Sequence, residues 1–226
     1  METSKLFFDS FKEFVWDIIG YLLPGSLVLV LLFLGLCEEL YISSNSEAEI
    51  SGIRSYVFFL IAYLLGYVAY GLGLLKEKFL GKCSYKVKIE KEIKKLESFK
   101  ISRKLVEKSI KEKGVEQKIE DIEVRPLRNI VMSFIPDQDQ KIYTFTFRSD
   151  LSNQTANISL LYGTIGLGSL LLNCFDVCFF QTQTPHLILY GCLIACYFLL
   201  RKTRNRFYQI AMSVPFSMYL AKAIKS

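Results

Sequence analysis

Two pairs of cysteines stand four residues apart: Cys174 with Cys178, and Cys192 with Cys196. On a helix, that spacing puts each pair on one face. Four thiolates at one depth would hold a metal ion. Here Cys174 and Cys192 fall at similar depth while Cys178 and Cys196 diverge. The plainer reading is a set of small apolar side chains. Cys37 and Cys178 approach the same outer edge and could pair in an oxidising compartment. The only histidine is His186. A His-based triad, a histidine metal cluster and an H-E-x-x-H motif are therefore excluded. The sequence contains neither a Walker glycine loop nor G-x-S-x-G. The expectation is a protein without catalytic residues, metal or cofactor.

Small residues carry a stronger pattern. Ala62, Gly66, Ala69 and Gly73 follow a 4-3-4 spacing, which makes a smooth stripe where another helix can come close. Tyr63, Tyr67 and Tyr70 lie beside it. Ser159, Gly163, Gly166, Ser169, Asn173 and Asp176 share a second face that grows more polar toward one end. An Asp within a span costs about 2.5–3.5 kcal/mol at mid-membrane, so it faces protein or water. Both stripes read as helix packing or as a line facing a pore or a subunit interface. A third group is Asp17, Gly20, Pro24 and Gly25, in "FVWDIIGYLLPGSLVLVLLFLGL". Proline removes a backbone bond and kinks a helix. This reads as a tolerated kink or as a hinge.

The elements that position these residues are four apolar runs: 14–36, 55–75, 158–180 and 186–200. A span takes about 20 residues. The fourth run is short and borrows Thr184, Pro185 and the stem of Arg201. The region before the first run holds Glu2, Lys5, Asp9, Lys12 and Glu13, so it is not a basic leader, and no small-residue cleavage site follows. It is expected to stay as a span.

Charge orients the runs. Residues 37–53 carry four acids and no Lys or Arg; residues 76–150 carry 19 basic residues against 13 acidic; residues after 200 carry six basic residues and no acid. Basic connections mark the cytoplasmic side. Both termini then lie inside, and the net charge of +6 is mainly topology. Direct nucleic-acid binding is not expected.

The expected architecture is an all-α membrane protein with four transmembrane helices in two hairpins around a helical cytoplasmic insert. Residues 1–13 form an interfacial helix, with Asp9, Glu13 and Asp17 opposite an apolar face. Residues 14–75 form the first hairpin, 76–150 the insert, 151–200 the second hairpin and 201–226 a basic amphipathic tail. In the insert, Tyr85, Ile89, Ile93, Leu96 and Phe99 recur at helical spacing. Ser102 would cap a second helix running to Gly114, with Leu105, Val106 and Ile110 as its stripe. Pro126 would open a third, with Leu127, Ile130, Val131 and Phe134 inward, and Pro136 would end it. "IYTFTF" alternates like a strand or continues as a helix; the pattern alone does not separate these. In the tail, Phe207, Ile210, Ala211, Val214 and Met218 would lie on lipid or dock on the insert.

The "DIIGYLLPG" and "AYLLGY" stretches, followed by a basic helical insert and a second hairpin, resemble small bacterial four-span membrane proteins of anti-phage defence systems. The membrane subunit of the Kiwa system and the four-span effectors of cyclic-nucleotide signalling are of this type. The resemblance implies a bacterial inner-membrane sensor or effector whose partners are a cytosolic protein at the insert and tail and further copies of the chain. It identifies no functional residue. A channel or transporter subunit is the alternative, and a membrane-bound enzyme is disfavoured by the missing catalytic sets.

Overall fold

The computed structural model describes residues 2–35, 51–112, 122–135, 139–173 and 180–225. Among these the chain is helical, without strands: α1 (Glu2–Gly35), α2 (Ser51–Leu80), a 3-10 turn (Gly81–Cys83), α3 (Tyr85–Ile93), α4 (Glu97–Glu112), α5 (Val124–Ser133), α6 (Asp139–Asn173) and α7 (Thr184–Lys225). Four are long and apolar enough to cross a membrane: α1 over Ile18–Gly35, α2 over Tyr56–Leu80, α6 over Lys141–Asn173 and α7 over Thr184–Ile224. α6 is described as far as Asn173; residues 174–179 of the expected run to 180 lie outside the described residues.

Several boundaries differ from the sequence reading. "IYTFTF" lies inside α6. A strand there would need a partner for its backbone groups, whereas in the helix Ile142 is buried against Met132 and Ile135. α1 runs unbroken from Glu2 to Gly35, through Pro24 and past the expected boundary at 13. α7 likewise runs through residue 200 and through Pro215. The expected single helix over 84–99 breaks at Lys94–Leu96. Ser102 does not cap a helix. It is buried inside α4, and its hydroxyl donates to the Phe216 carbonyl at 3.2 Å. Ser84 is the cap instead: its Oγ accepts from the Lys86 amide and opens α3. Gly81, at φ 46°, takes the left-handed turn that follows α2.

The chain divides into two units. Unit 1 comprises Met1–Lys78 and Leu151–Lys202; unit 2 comprises Phe79–Asp150 and Thr203–Ser226. α6 and α7 each contribute residues to both.

Unit 1 buries Leu31, Ala69, Ile158, Tyr162, Phe180, Tyr190 and Leu193 together. Much of α2 faces outward with large apolar side chains, including Phe59, Leu60, Leu64, Val68 and Leu72. In water each exposed Å² of apolar surface costs about 25 cal/mol. Lipid carries no such cost.

Unit 2 is built like a soluble helical domain. Ile89, Ile93, Phe99, Val106, Val124, Leu127 and Val131 close around Tyr208, Met212, Phe216 and Tyr219 from α7. Phe99 and Phe216 meet edge to face, 5.1 Å between centroids. The face α7 presents is therefore offset from the expected one: Ala211 is buried, while Phe207, Ile210, Val214 and Met218 are only partly covered. In α5, Leu127 and Val131 point inward as expected, Ile130 is half-buried, and Phe134 is exposed. α5 ends at Ser133, and Pro136 lies outside the described residues.

Candidate functional site

Ala62 and Gly66 of the α2 stripe are taken up by α1. A Cβ on Gly25 would run into the Ala62 carbonyl, and one on Gly66 into the Tyr21 carbonyl. The two backbones touch there, which only glycine permits. Ala62 and Pro24 are fully buried at this crossing. Tyr21 fits among the tyrosines of α2. It stacks on Tyr67 at 3.9 Å and meets Tyr63 and Tyr70 edge-on. The Tyr63 and Tyr67 hydroxyls are hydrogen-bonded to each other at 3.1 Å. Of the expected hinge group, Gly20, Pro24 and Gly25 are buried in this contact region. Asp17 lies in α1.

The stripe on α6 is used in the same way by α7. A Cβ on Gly163 would approach Ile194 and the Tyr190 carbonyl, at 2.7 and 2.9 Å; one on Gly166 would meet the Tyr190 ring at 2.5 Å. Tyr190 is fully buried and donates its hydroxyl to the Gln181 carbonyl at 2.9 Å. Ser159 and Ser169 return their hydroxyls to carbonyls of their own helix, Thr155 and Gly166. Asn173 donates to Thr182 Oγ1 at 2.6 Å. Asp176 lies outside the described residues. Both stripes thus face helices of the same chain, and they are not spread along an outer surface.

Gly73 continues the α2 stripe into a polar ledge that the sequence reading did not single out. A Cβ there would stand 3.5 and 3.6 Å from the side-chain nitrogens of Asn157 and Asn153 on α6. One turn on, Lys76 donates to Asn157 Oδ1 at 2.7 Å, and its ammonium sits 5.5 Å from the Tyr197 ring centre on α7. The signal was present in "SNQTAN", a polar run leading into an apolar helix. Its meaning depends on a lysine 81 positions away from Asn157.

Unit 2 holds a second polar network. Glu90 Oε1 accepts from Arg125 Nε at 2.7 Å and from the Tyr208 hydroxyl at 2.6 Å. Burial pulls the Arg125 pKa down, but Tyr208 and Glu90 more than offset it, and the guanidinium ends above its ordinary value. Arg204 is buried with its guanidinium 3.5 Å from the Tyr85 ring centre. Most telling is Arg128. Pro215 has no N–H, so the carbonyl of Ala211, four residues earlier, loses its helical partner. Buried Arg128 fills that gap, donating from Nε to Ala211 O at 3.0 Å. The network braces helices against α7.

No three His, Cys, Asp or Glu side chains converge to hold a metal ion among the described residues. Cys83, Cys192 and Cys196 are free and exposed. Cys37, Cys174 and Cys178 lie outside the described residues. The chain matches no family model, and neither the curated proteins nor the solved structures compared with it give a match.

Proposed function

We propose that this is a non-enzymatic multi-pass protein of the bacterial inner membrane, a sensor or effector that couples a cytosolic signal to the packing of its spans. In this reading unit 1 is the membrane part, with α1–α2 and α6–α7 as two hairpins and both termini inside. The helix pairings agree: 25 meets 62 while 21 meets 66, and 163 meets 194 while 166 meets 190, as in antiparallel helices. Unit 2 receives the partner. Lys88, Lys91, Lys94 and Lys95 are exposed there and form no ion pair among the described residues, which suits an acidic protein surface.

The single observation that carries the coupling is the continuity of α6 and α7. Each is one unbroken helix that supplies core residues to both units. A partner that shifts α3–α5 acts on the same two helices that close the Tyr190 contact. The role in anti-phage defence rests on the sequence resemblance. Any homo-oligomer would use surfaces other than the two glycine stripes, since those meet neighbours in the same chain.

The test is expression of the chain alone and with its genomic neighbours, following membrane potential and phage plating. A neighbour-dependent loss of plating with depolarisation is expected. Constitutive solute movement without any plating effect would favour a channel or transporter subunit and overturn the defence role.

A further inference from the structure

We propose that the ledge formed by Lys76, Asn157 and Tyr197 binds the phosphate of an anionic phospholipid headgroup. The inference rests on the membrane reading of unit 1.

Lys76 is half-buried and contacts only a neutral amide and an aromatic face. It forms no ion pair with a carboxylate among the described residues. A partly desolvated ammonium without an anion is a costly arrangement. An ammonium carries three donors, and Asn157 Oδ1 takes one. The Asn157 Nδ2 is buried and has no partner. Gln154, one turn earlier on α6, is 4% exposed, and its Oε1 also has no partner. An unmet donor on Asn157 therefore stands beside an uncompensated cation. A phosphate oxygen answers the cation.

Position agrees with this chemistry. On α2, Lys76 opens the short charged run Lys76-Glu77-Lys78 after Leu74 and Leu75, with Phe79 and Leu80 beyond it; Asn157 precedes Ile158, where α6 turns apolar; Tyr197 stands one turn before Arg201 and Lys202 on α7. On the membrane reading, all three helices carry polar residues at the height expected of lipid phosphates. A lysine at such a surface is worth about 1 kcal/mol against anionic lipid, roughly fivefold in binding.

The test uses the full-length chain in mild detergent. Native mass spectrometry and thermal shift are read with added phosphatidylglycerol, phosphatidylethanolamine or inorganic phosphate. Phosphatidylglycerol is expected to stay bound and raise the midpoint. Lys76→Met should cut its retention about fivefold. Lys76→Arg should keep it, and Lys78→Met should leave it unchanged. Lys76→Arg guards against a merely misfolded Lys76→Met protein. A Lys76-dependent shift from inorganic phosphate without lipid would assign the same chemistry to a soluble phosphate. Equal retention in wild type and Lys76→Met, or equal loss in Lys76→Met and Lys78→Met, overturns the site and leaves the ledge to a bound water. A chain that stays soluble and monodisperse without detergent fails the membrane reading instead.

Discussion

At the α1–α2 crossing of unit 1, helices meet backbone to backbone, with Gly25 on Ala62 and Gly66 on Tyr21. In unit 2 they stand a side chain apart, with Phe99, Val106, Val131 and Phe216 filling the space. On the membrane reading, the two regions solve one problem in two solvents. Among lipid tails, burying a leucine gains little, so close approach and van der Waals contact hold helices together. In water, burial of apolar area dominates. Several polar groups echo this contrast. Unit 1 returns Ser159, Thr164 and Ser169 hydroxyls to their own helices. Unit 2 sends Ser102, Arg128 and Ser149 to carbonyls of α7.

Three experiments would break or sharpen this contrast. The largest effect is expected from Gly66→Leu. The new side chain has no room against the Tyr21 backbone, and a cost above about 4 kcal/mol places it among the most damaging substitutions. Size-exclusion chromatography in detergent should show loss of the monodisperse peak. A normal peak and melting point would mean that the helices separate freely, and the contrast would fail. Next comes Arg128→Met, which leaves the Ala211 carbonyl buried and unmet at about 1–3 kcal/mol. Pro215→Ala restores a helical N–H to that carbonyl. Arg128→Met should therefore cost less in the Pro215→Ala background, by thermal unfolding in a double-mutant cycle. Equal costs in both backgrounds would detach Arg128 from the proline gap. The smallest effect belongs to Gly73→Ala. Its Cβ reaches ordinary contact distances only, and helix propensity favours alanine by up to about 1 kcal/mol. An unchanged or slightly higher midpoint is expected. A large drop would show that position 73, like Gly66, demands glycine.

The apolar runs at 14–36 and 55–75 were legible because length and composition alone define them, and α1 and α2 follow. The insert was legible as helical but not in its breaks. Apolar residues at 85, 89, 93, 96 and 99 keep their period straight through the turn at Lys94–Leu96, so periodicity gives no warning there. Ser102 was misread because a serine before an apolar stripe looks like a cap. Only the distant Phe216 carbonyl explains it. The face of α7 was misjudged for a related reason. Tyr208 and Tyr219 lie off the expected face, and a second polar network and Phe134 receive them. Lys76 went unremarked because a lysine ending a span reads as a topology signal. Its neighbours on α6 and α7 come from far along the chain, and no local pattern joins them.

Unit 2 draws its centre from a segment that leaves the ribosome after the other three helices of that core. Until Tyr208, Met212 and Phe216 emerge, α3, α4 and α5 lack the surface their apolar faces need. On the membrane reading, four oily stretches are meanwhile being threaded into the bilayer. During synthesis, then, the core of unit 2 waits on the chain of unit 1, and holdase chaperones should find their targets at Phe99, Val106 and Val131 on stalled nascent chains.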